Sequence, residues 1–458
     1  MYPTTTLIYV IALIFLSRSA ISSSPSSPPT PPPLPKKPTG RKDKSTKDTK
    51  TIIFKDQQSC EAATGTWIQI TKQNSCQDGS CCIFDTTRTK TSIPQDPLRQ
   101  AVLSGDVIAL IKLHKLGKDI NAIDPIDGRS FMHLAAYQGH LNIVYKLAEL
   151  GQEDLVFKRD LEGRTPLHIV AARGICFLLS HFVKGLGADI EARDGTGMTA
   201  LHHAATLGHS KCVDSLDELN ANLDVKDNEG MTPMHHATQN GQIIVVKKLE
   251  DLGAMLNIQD IRGWQPIHNA ASDGYPEIIQ FLHTYGAKLE SKDKNGATAM
   301  HYAAAYGKVQ AIETLVTLGC SVEILDNDSV TPLMMAVQMG QIAAMDALHR
   351  HGADVHANDK DGVQSIHYAA AYDQDKALNK LMIYGCDVDA RDDDGWTPLF
   401  WAAGNGHSDI MILMYDLGAD IDATSNNEIN IRSPMKLAQE QGHDNVIQLI
   451  KSWHLDEL

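Results

Sequence analysis

The sequence predicts an all-α repeat solenoid of about eleven repeats that follows a small disulfide-rich N-terminal module. Three observations predict it: a motif that recurs in phase from Asp96 onward, residue types in that motif that start and end helices, and four cysteines clustered ahead of the repeats. The length of 458 residues alone would suggest about three compact domains. The recurring motif instead predicts one elongated array over 363 of those residues.

The motif has the form Thr-Pro-Leu-His-x-Ala-Ala-x-x-Gly. It starts at residues 96, 130, 165, 199, 232, 265, 298, 331, 364, 397 and 433, so the intervals are 34, 35 and 34, then 33 six times, then 36. A period of 33 with this motif resembles the ankyrin repeat family. The resemblance covers residues 96–458 and implies a helix-turn-helix with a β-hairpin loop in each repeat.

Each part of the motif has a physical role in a first helix. Thr and Pro open the helix, with Pro where no backbone hydrogen bond is lost. Small residues such as Ala204 and Ala205 keep the helix thin, so that repeats stack closely. A glycine such as Gly208 ends it in the left-handed conformation. A second helix follows, with apolar spacing as in Ile243, Val245, Val246 and Leu249.

The motif histidine recurs in seven repeats. The resemblance implies that these imidazoles tie helix starts to neighbouring loops and belong to the scaffold. Other residues replace the histidine in repeats one, eight, ten and eleven, where the tie is in doubt: Arg99, Met334, Phe400 and Lys436. The seven histidines are His133, His168, His202, His235, His268, His301 and His367.

No motif predicts catalysis, a metal or a cofactor. The adjacent pairs His202-His203 and His235-His236 point about 100° apart on a helix, whereas two zinc ligands on one face need i,i+4 spacing. The run from Asp392 to Gly395 lacks the twelfth-position ligand of an EF-hand. P-loop, GxSxG and zincin motifs are absent from the sequence. We therefore expect a protein that is not an enzyme and needs no cofactor.

The four cysteines of the repeats are expected to be structural. Cys320 and Cys386 stand two repeats apart, roughly 20 Å, which is beyond disulfide range. Cys176 and Cys212 replace apolar residues of second helices in neighbouring repeats. All four are predicted to be buried free thiols.

The N-terminal residues indicate a signal sequence and a linker. The apolar run at 7–16 has ten residues, too few to span a bilayer but typical of a secretory signal, although the segment before it has no basic residue. We expect a signal peptide at 1–19, cleaved after residue 19 or 22; the alternatives are an uncleaved anchor and an apolar start that is not a signal. Residues 20–50, rich in Pro, Ser and Lys, are predicted to be a disordered linker.

A Cys-rich module is predicted at 51–94, ahead of the repeat domain at 95–458. In an oxidising compartment Cys60, Cys76, Cys81 and Cys82 would form two disulfides, with the pairing open and a Cys81–Cys82 bond disfavoured by geometry. Their spacing suits a zinc site poorly. Residues 51–54 and 66–71 are predicted to be short strands because of their β-branched and aromatic content.

The candidate binding residues follow from the resemblance, since ankyrin proteins bind partners on the concave face formed by hairpin tips and pre-glycine residues. Repeats seven to nine offer Tyr306, Met339 and Tyr372 in a row, and Trp264 and Trp396 lie on the flanking hairpins. Exposed aromatics and Met are types that supply interface energy. The alternative is that the tryptophans brace the hairpins and the tyrosines pack on neighbouring helices.

The charge restricts the partner. The chain carries −15 overall, divided between −21 on residues 96–458 and +5 on residues 21–95. An acidic body argues against nucleic-acid binding. Acidic hairpin tips favour a basic protein partner: Asp359, Asp361, Asp392 and Asp393.

Two further features concern destination. The chain ends in Asp-Glu-Leu, as an endoplasmic-reticulum retrieval signal does, but Leu455 stands where Lys or His is usual. Asn327 begins the only N-x-S/T sequon and is the glycosylation candidate.

We therefore expect a monomeric, non-enzymatic interaction scaffold that enters the secretory pathway, for the endoplasmic-reticulum lumen or for secretion, with no membrane insertion after signal cleavage. The alternatives are a secreted effector or toxin-like ankyrin protein and, if the signal is not used, a cytosolic ankyrin adaptor.

Overall fold

The computed structural model describes residues 52–54, 82–84, 96–151, 153–426 and 432–456. The predicted signal peptide, the linker and most of the Cys-rich module lie outside these described residues. The same holds for the candidate disulfide residues Cys60, Cys76 and Cys81, and for Cys82 only the backbone is described.

The array consists of helix pairs. Its described residues form twenty-two α-helices, one pair after each predicted repeat start, with no β-strand between them. A 3₁₀ turn at Glu153–Val156 follows α4, and a π-helical turn at His181–Gly185 follows α6. The helices are α1 Pro97–Ser104, α2 Val107–Lys115, α3 Phe131–Gln138, α4 Leu141–Leu150, α5 Pro166–Ala172, α6 Phe177–Ser180, α7 Ala200–Thr206, α8 Ser210–Asp217, α9 Pro233–Gln239, α10 Ile243–Asp251, α11 Pro266–Asp273, α12 Pro276–Thr284, α13 Ala299–Ala305, α14 Val309–Thr317, α15 Pro332–Gln338, α16 Ile342–Arg350, α17 Ser365–Ala371, α18 Asp375–Ile383, α19 Pro398–Asn405, α20 Ser408–Asp416, α21 Pro434–Gln441 and α22 Asp444–Asp456.

The first helix of each repeat begins where the motif predicts. In repeat three, Thr165 has an extended backbone and Pro166 occupies the first helical position, where the missing N–H costs no hydrogen bond. Helix α11 ends at Gly274 with a φ of 82°. Repeat nine has Asp373 at the corresponding place, with a φ of 56°, a left-handed conformation that Asp tolerates better than most residues.

Both helices of each pair supply large apolar side chains to the core. In α10, Val245, Val246 and Leu249 are fully buried, as are the small residues Ala204 and Ala205 of α7. One continuous cluster runs from Leu98 in α1 to Trp453 in α22. The core is therefore a chain of nearest-neighbour contacts between repeats, as in other solenoids.

The loops that join repeats are Asp-anchored turns. The backbone N–H of Ile261 donates to the carbonyl oxygen of Glu229 (3.0 Å), and that of Lys294 donates to the carbonyl oxygen of Arg262 (3.1 Å). These bonds link the tip of one loop to the tip of the next. The tips thus form a continuous edge along one side of the array, although the predicted β-hairpins contain no regular strand among the described residues.

The prediction of four free thiols is half wrong. Cys176 and Cys212 form a disulfide, with their Cα atoms 4.6 Å apart. Cys176 lies at the N-terminus of α6 and Cys212 in the first turn of α8, and the offset between the two stacked helices brings these positions together. Cys320 and Cys386 are free and buried, as predicted.

Two short strands precede the array. Strand β1 (Ile52–Phe54) pairs antiparallel with β2 (Cys82–Phe84), with Ile52 opposite Phe84. The first strand agrees with the prediction at 51–54. The strand predicted at 66–71 lies outside the described residues, and the observed partner of β1 is a segment that the sequence analysis did not assign.

Candidate partner-binding face

The motif histidines are buried and link neighbouring repeats by hydrogen bonds. In repeat three the backbone N–H of Thr165 donates to Nδ1 of His168 (3.0 Å), and Nε2 of His168 donates to the carbonyl oxygen of Met198 in the next loop (3.1 Å). His301 makes the same pair of bonds, with Thr298 and Val330. This is the tie between helix start and neighbouring loop that the family resemblance implied.

Burial keeps these imidazoles neutral. It lowers the pKa of His168, His301 and His367 to about 4, and that of His202 to about 3. A neutral imidazole can accept at Nδ1 while it donates at Nε2. The protonation state thus matches the hydrogen bonds that join neighbouring repeats.

A second set of contacts fixes each loop to the first helix that follows it. One carboxylate oxygen of Asp194 accepts from the backbone N–H groups of Thr196 and Met198, while the other accepts from Nε2 of His203 (2.8 Å). Asp227 and His236 repeat this arrangement at 2.8 Å. The second histidine of each adjacent pair is therefore a loop anchor.

Other repeats use different donors at the same place. The Tyr302 hydroxyl donates to Asp293 (2.6 Å), the Tyr368 hydroxyl to Asp359 (2.8 Å) and the Trp401 indole N–H to Asp392 (3.0 Å). The sequence analysis missed this set. Its signal in the sequence is a hydrogen-bond donor that stands nine residues after a loop Asp and directly follows the position of the motif histidine.

Two of the acidic residues predicted at the hairpin tips are buried loop anchors. Asp359 and Asp392 are only 6% and 8% exposed, so the expectation that they face a partner is wrong. Burial raises the pKa of Asp392 to about 6, against the hydrogen bonds from Trp396 and Trp401. Asp361, Asp393 and the neighbouring Asp394 are exposed and carry the charge at these tips.

We name Tyr306, Met339 and Tyr372 the concave row, after the face on which the sequence analysis expects them. Each residue directly follows a first helix (α13, α15 or α17) and is partly buried against the core. Burial raises the pKa of Tyr306 to about 12. Tyr372 lies nearly parallel to the Tyr368 ring, with centroids 6.3 Å apart. The row therefore presents partly exposed side chains on an ordered base.

The two tryptophans are buried, so the expectation that they are exposed beside the row is wrong. Trp264 is 4% exposed, with the Arg262 guanidinium 4.2 Å from its ring centroid and the Tyr302 ring centroid also at 4.2 Å. Trp396 is 5% exposed and packs on Phe400 and Trp401. Both side chains brace their loops from within.

An ionisable group lies at one end of the concave row. Burial raises the pKa of Asp273 to about 6, against a hydrogen bond from the Ser272 hydroxyl (3.3 Å) and the charge of Lys308. The Asp273 carboxylate and the Arg262 guanidinium both act electrostatically on Tyr306. The surface beside the row can therefore exchange a proton near neutral pH.

In the described part of the chain, no group of three or more His, Cys, Asp or Glu side chains could hold a metal ion. The same residues contain no helix that is both long and apolar enough to cross a membrane.

Asn327 is exposed at the tip of the loop that joins repeats seven and eight. Its amide Nδ2 donates to the carbonyl oxygen of Lys294 (3.2 Å), and its backbone N–H donates to the carbonyl oxygen of Asn295 (3.0 Å). The side chain reaches the tip of the preceding loop.

The helix pairs and the loop anchors define a repeat solenoid. The family described as ankyrin repeats (3 copies) matches residues 98–194, 171–260, 267–359 and 366–456. These ranges cover well over half of the sequence, and the chain belongs to the ankyrin repeat family.

Curated relatives match only parts of their own length. The chain is 35% identical over 128 residues to Dauer abnormal formation protein 25 of Caenorhabditis elegans, which covers 27% of this chain and 31% of that protein. It is 33% identical over 87 residues to Putative E3 ubiquitin-protein ligase XBAT31 of Arabidopsis thaliana, and this match covers 17% of this chain and 19% of that protein. It is 35% identical over 104 residues to Transient receptor potential cation channel subfamily A member 1 of Homo sapiens, and this match covers 20% of this chain and 9% of that protein. The chain spans less than a third of each of these proteins.

Among solved structures, the human ASB11 ankyrin repeat domain aligns with a TM-score of 0.44 and 25% identity, over 49% of this chain and 99% of that chain.

Proposed function

We propose that this chain is a non-enzymatic, eleven-repeat ankyrin scaffold that enters the secretory pathway and binds a protein partner at the concave row. Membership of the ankyrin repeat family supports an interaction role. The observation that carries the proposal is the row itself, in which Tyr306, Met339 and Tyr372 recur every 33 residues at the ends of three consecutive first helices.

The ordered base under the row favours binding. Tyr302 and Tyr368 are buried and hydrogen-bonded to loop carboxylates, so the neighbouring row residues are held in place before a partner arrives. A preorganised surface loses less conformational entropy when it binds. Aromatic residues at the centre of an interface often contribute about 2 kcal/mol or more each.

The exposed charge favours a basic segment in the partner. Asp361, Asp393 and Asp394 lie on two successive loop tips beside the row. Complementary charge mainly raises the association rate and excludes wrong partners. We therefore propose a partner that combines apolar anchors with Lys or Arg residues.

The Cys176–Cys212 disulfide supports residence in an oxidising compartment. Disulfides persist in the endoplasmic-reticulum lumen and outside cells, whereas cytosolic reductants keep most thiols reduced. This observation favours a secretory scaffold over a cytosolic adaptor. Release into the medium would favour the effector-like alternative, and retention in the lumen would favour a resident protein.

Comparative affinity capture tests the proposal. The full chain and a Tyr306→Ala/Tyr372→Ala variant would be used to capture proteins from luminal and cytosolic extracts in parallel, and the bound proteins would be quantified by mass spectrometry. The matched control is Tyr145→Ala/Tyr285→Ala, because those tyrosines are 39% and 51% exposed and belong to second-helix segments.

We expect at least one luminal protein to be captured by the unaltered chain and by the control, but not by the row variant. If the captured set is the same for all three chains, the row is not the binding surface. If the proteins lost with the row variant come only from the cytosolic extract, the secretory part of the proposal is wrong while the interaction role stands.

A further inference from the structure

The N-terminal end of the array exposes apolar side chains at positions that are more buried in inner repeats. In repeats eight and nine, the residue twenty positions after the motif start contacts the preceding repeat, and His351 of repeat eight hydrogen-bonds to Glu313 in this way (2.5 Å). Tyr384 at that position stacks on His349, with ring centroids 3.9 Å apart, and its hydroxyl donates to Asp346 (2.5 Å). Leu116 is the equivalent residue of repeat one and is 72% exposed, more than Tyr285, the equivalent residue of repeat six, at 51%.

Two neighbouring positions on α2 are also more exposed than their inner counterparts. Leu113 is partly buried, whereas its equivalent Leu249 in repeat five has no exposed surface. Ala109 is likewise partly buried where Val245 is fully buried. We name the surface made by Ala109, Leu113 and Leu116 the N-terminal end face.

The opposite end of the array is built differently. In repeat eleven Lys436 replaces the motif histidine, and Gln439 stands where repeat seven has the fully buried Ala304. Polar residues at these places allow the last repeat to face water, as terminal repeats of solenoids must. The N-terminal end face keeps apolar residues, so covering it with a further segment would remove apolar surface from water.

The segment directly before the array also has apolar residues to cover. In the β1–β2 ribbon Ile52 pairs with Phe84, Ile53 with Ile83 and Phe54 with Cys82, so every paired position is apolar or Cys. A two-stranded ribbon on its own is marginally stable in water. Residues 51–94 also contain four basic and four acidic residues, so docking would bury no excess of one charge.

The connection is short enough to favour contact within one chain. Residues 85–95 separate β2 from Asp96, and these eleven residues span at most about 40 Å. Helix α2 has nine residues and is therefore about 14 Å long, so the end face lies within reach. A tether of this length gives an effective concentration in the millimolar range.

We propose that the Cys-rich module, residues 51–94, docks on the N-terminal end face and acts as the N-terminal cap of the array. Leu116 is the central contact, and the ribbon formed by β1 and β2 is the docked element. The module thereby covers apolar surface that inner repeats bury against a preceding repeat.

Site-specific photo-crosslinking in the full chain tests this docking. p-Benzoylphenylalanine would replace Leu116 or, as the control, Ile383, which is 76% exposed on α18 in the middle of the array. We expect crosslinks from position 116 to peptides of 51–94, with a yield independent of protein concentration, and none from position 383 to those peptides. Absence of such crosslinks at 116 would overturn the proposal. So would crosslinks found only between isotopically distinct copies, which would identify an end-to-end dimer.

Hydrogen exchange gives a second, independent readout. Leu116→Glu should raise the exchange rate of the β1, β2 and α2 amides by about tenfold or more, because docking would bury a leucine side chain. Ile383→Glu should leave those amides unchanged. Equal exchange in the two variants would show that the ribbon does not depend on the end face.

Discussion

Removal of the Cys176–Cys212 disulfide should destabilise repeats three and four selectively. The bond joins residues 36 apart in sequence, and closing a loop of that length in the unfolded chain corresponds to about 4 kcal/mol in the chain-entropy account. Because solenoid repeats interact only with neighbours, the loss should stay local. A loss of about 4 kcal/mol corresponds to about a thousandfold rise in local opening.

The assay is peptide-resolved hydrogen exchange on the unaltered chain and on a Cys176→Ala/Cys212→Ala variant. We expect amides of α5–α8 to lose protection by about a thousandfold at most, while those of α13–α16 change little. Alanine is chosen because Cys212 is fully buried, so serine would add an unpaired hydroxyl.

The matched control is Cys320→Ala/Cys386→Ala, which removes the two buried free thiols. Burial raises the pKa of both thiols to about 12, so they are unreactive in the folded chain. The control should remain as sensitive to reductant in α5–α8 as the unaltered chain. If alkylation of the denatured, unreduced chain modifies Cys176 and Cys212, or if their replacement leaves α5–α8 protection unchanged, the reasoning is wrong.

Three further predictions concern the buried histidines and the sequon. His301→Met should lower the free energy of unfolding by about 1–2 kcal/mol, since Met keeps the packing but leaves the Val330 carbonyl without its donor; an unchanged urea midpoint would contradict this, and Met334→His in repeat eight is the reciprocal variant. Acidification should also destabilise the array. Five motif histidines have a folded pKa near 4 or below against 6.5 when unfolded, so unfolding takes up about one proton at each of them between pH 6.5 and 4, and stability falls as pH drops through that window. The folded pKa of Asp273 and of Asp392 is raised to about 6, so unfolding releases about two protons from these carboxyls and offsets part of that uptake. The denaturant midpoint should therefore be higher at pH 7 than at pH 5. Equal midpoints, or a higher midpoint at pH 5, would refute the sign. The five histidines are His168, His202, His235, His301 and His367. Finally, the chain expressed through the secretory pathway should carry a glycosidase-sensitive mass that Asn327→Gln abolishes, and a chain without that mass would argue against luminal exposure of the loop tip.

The helices could be predicted because their signals are local. Thr165 and Pro166 fix a helix start through their own backbone geometry and hydrogen bonding, and Gly274 fixes a helix end. The motif histidine also carries its role in its position, three residues after the cap. Each repeat therefore specifies its helix pair within a few residues of sequence.

Contacts between repeats were less predictable. The Cys176–Cys212 bond depends on the offset between α6 and α8 and not on the repeat period, because the two cysteines occupy different positions of their repeats. The burial of Trp264 depends on Arg262 and Tyr302, which both contact its ring. The repeat pattern placed Trp264 on the correct loop but did not predict that its side chain is buried.

The loop anchors were visible in the sequence and were missed. Asp194 with His203, and Asp293 with Tyr302, are each nine residues apart, and the pattern recurs with the repeat period. Adjacent histidines drew attention to metal binding, for which their spacing is wrong. A search for paired Asp and donor positions across repeats would have assigned both the anchors and the buried aspartates.

The binding constant of a partner captured by the unaltered chain is the most direct test of the concave row. Titration calorimetry would compare the unaltered chain with Tyr306→Ala/Tyr372→Ala and with Tyr145→Ala/Tyr285→Ala. The row variant should lose about 2 kcal/mol or more of binding free energy, so its Kd should rise about thirtyfold or more. The Kd of the control should stay within about twofold of that of the unaltered chain. Equal Kd values for all three chains would contradict the assignment of this face as the partner-binding surface.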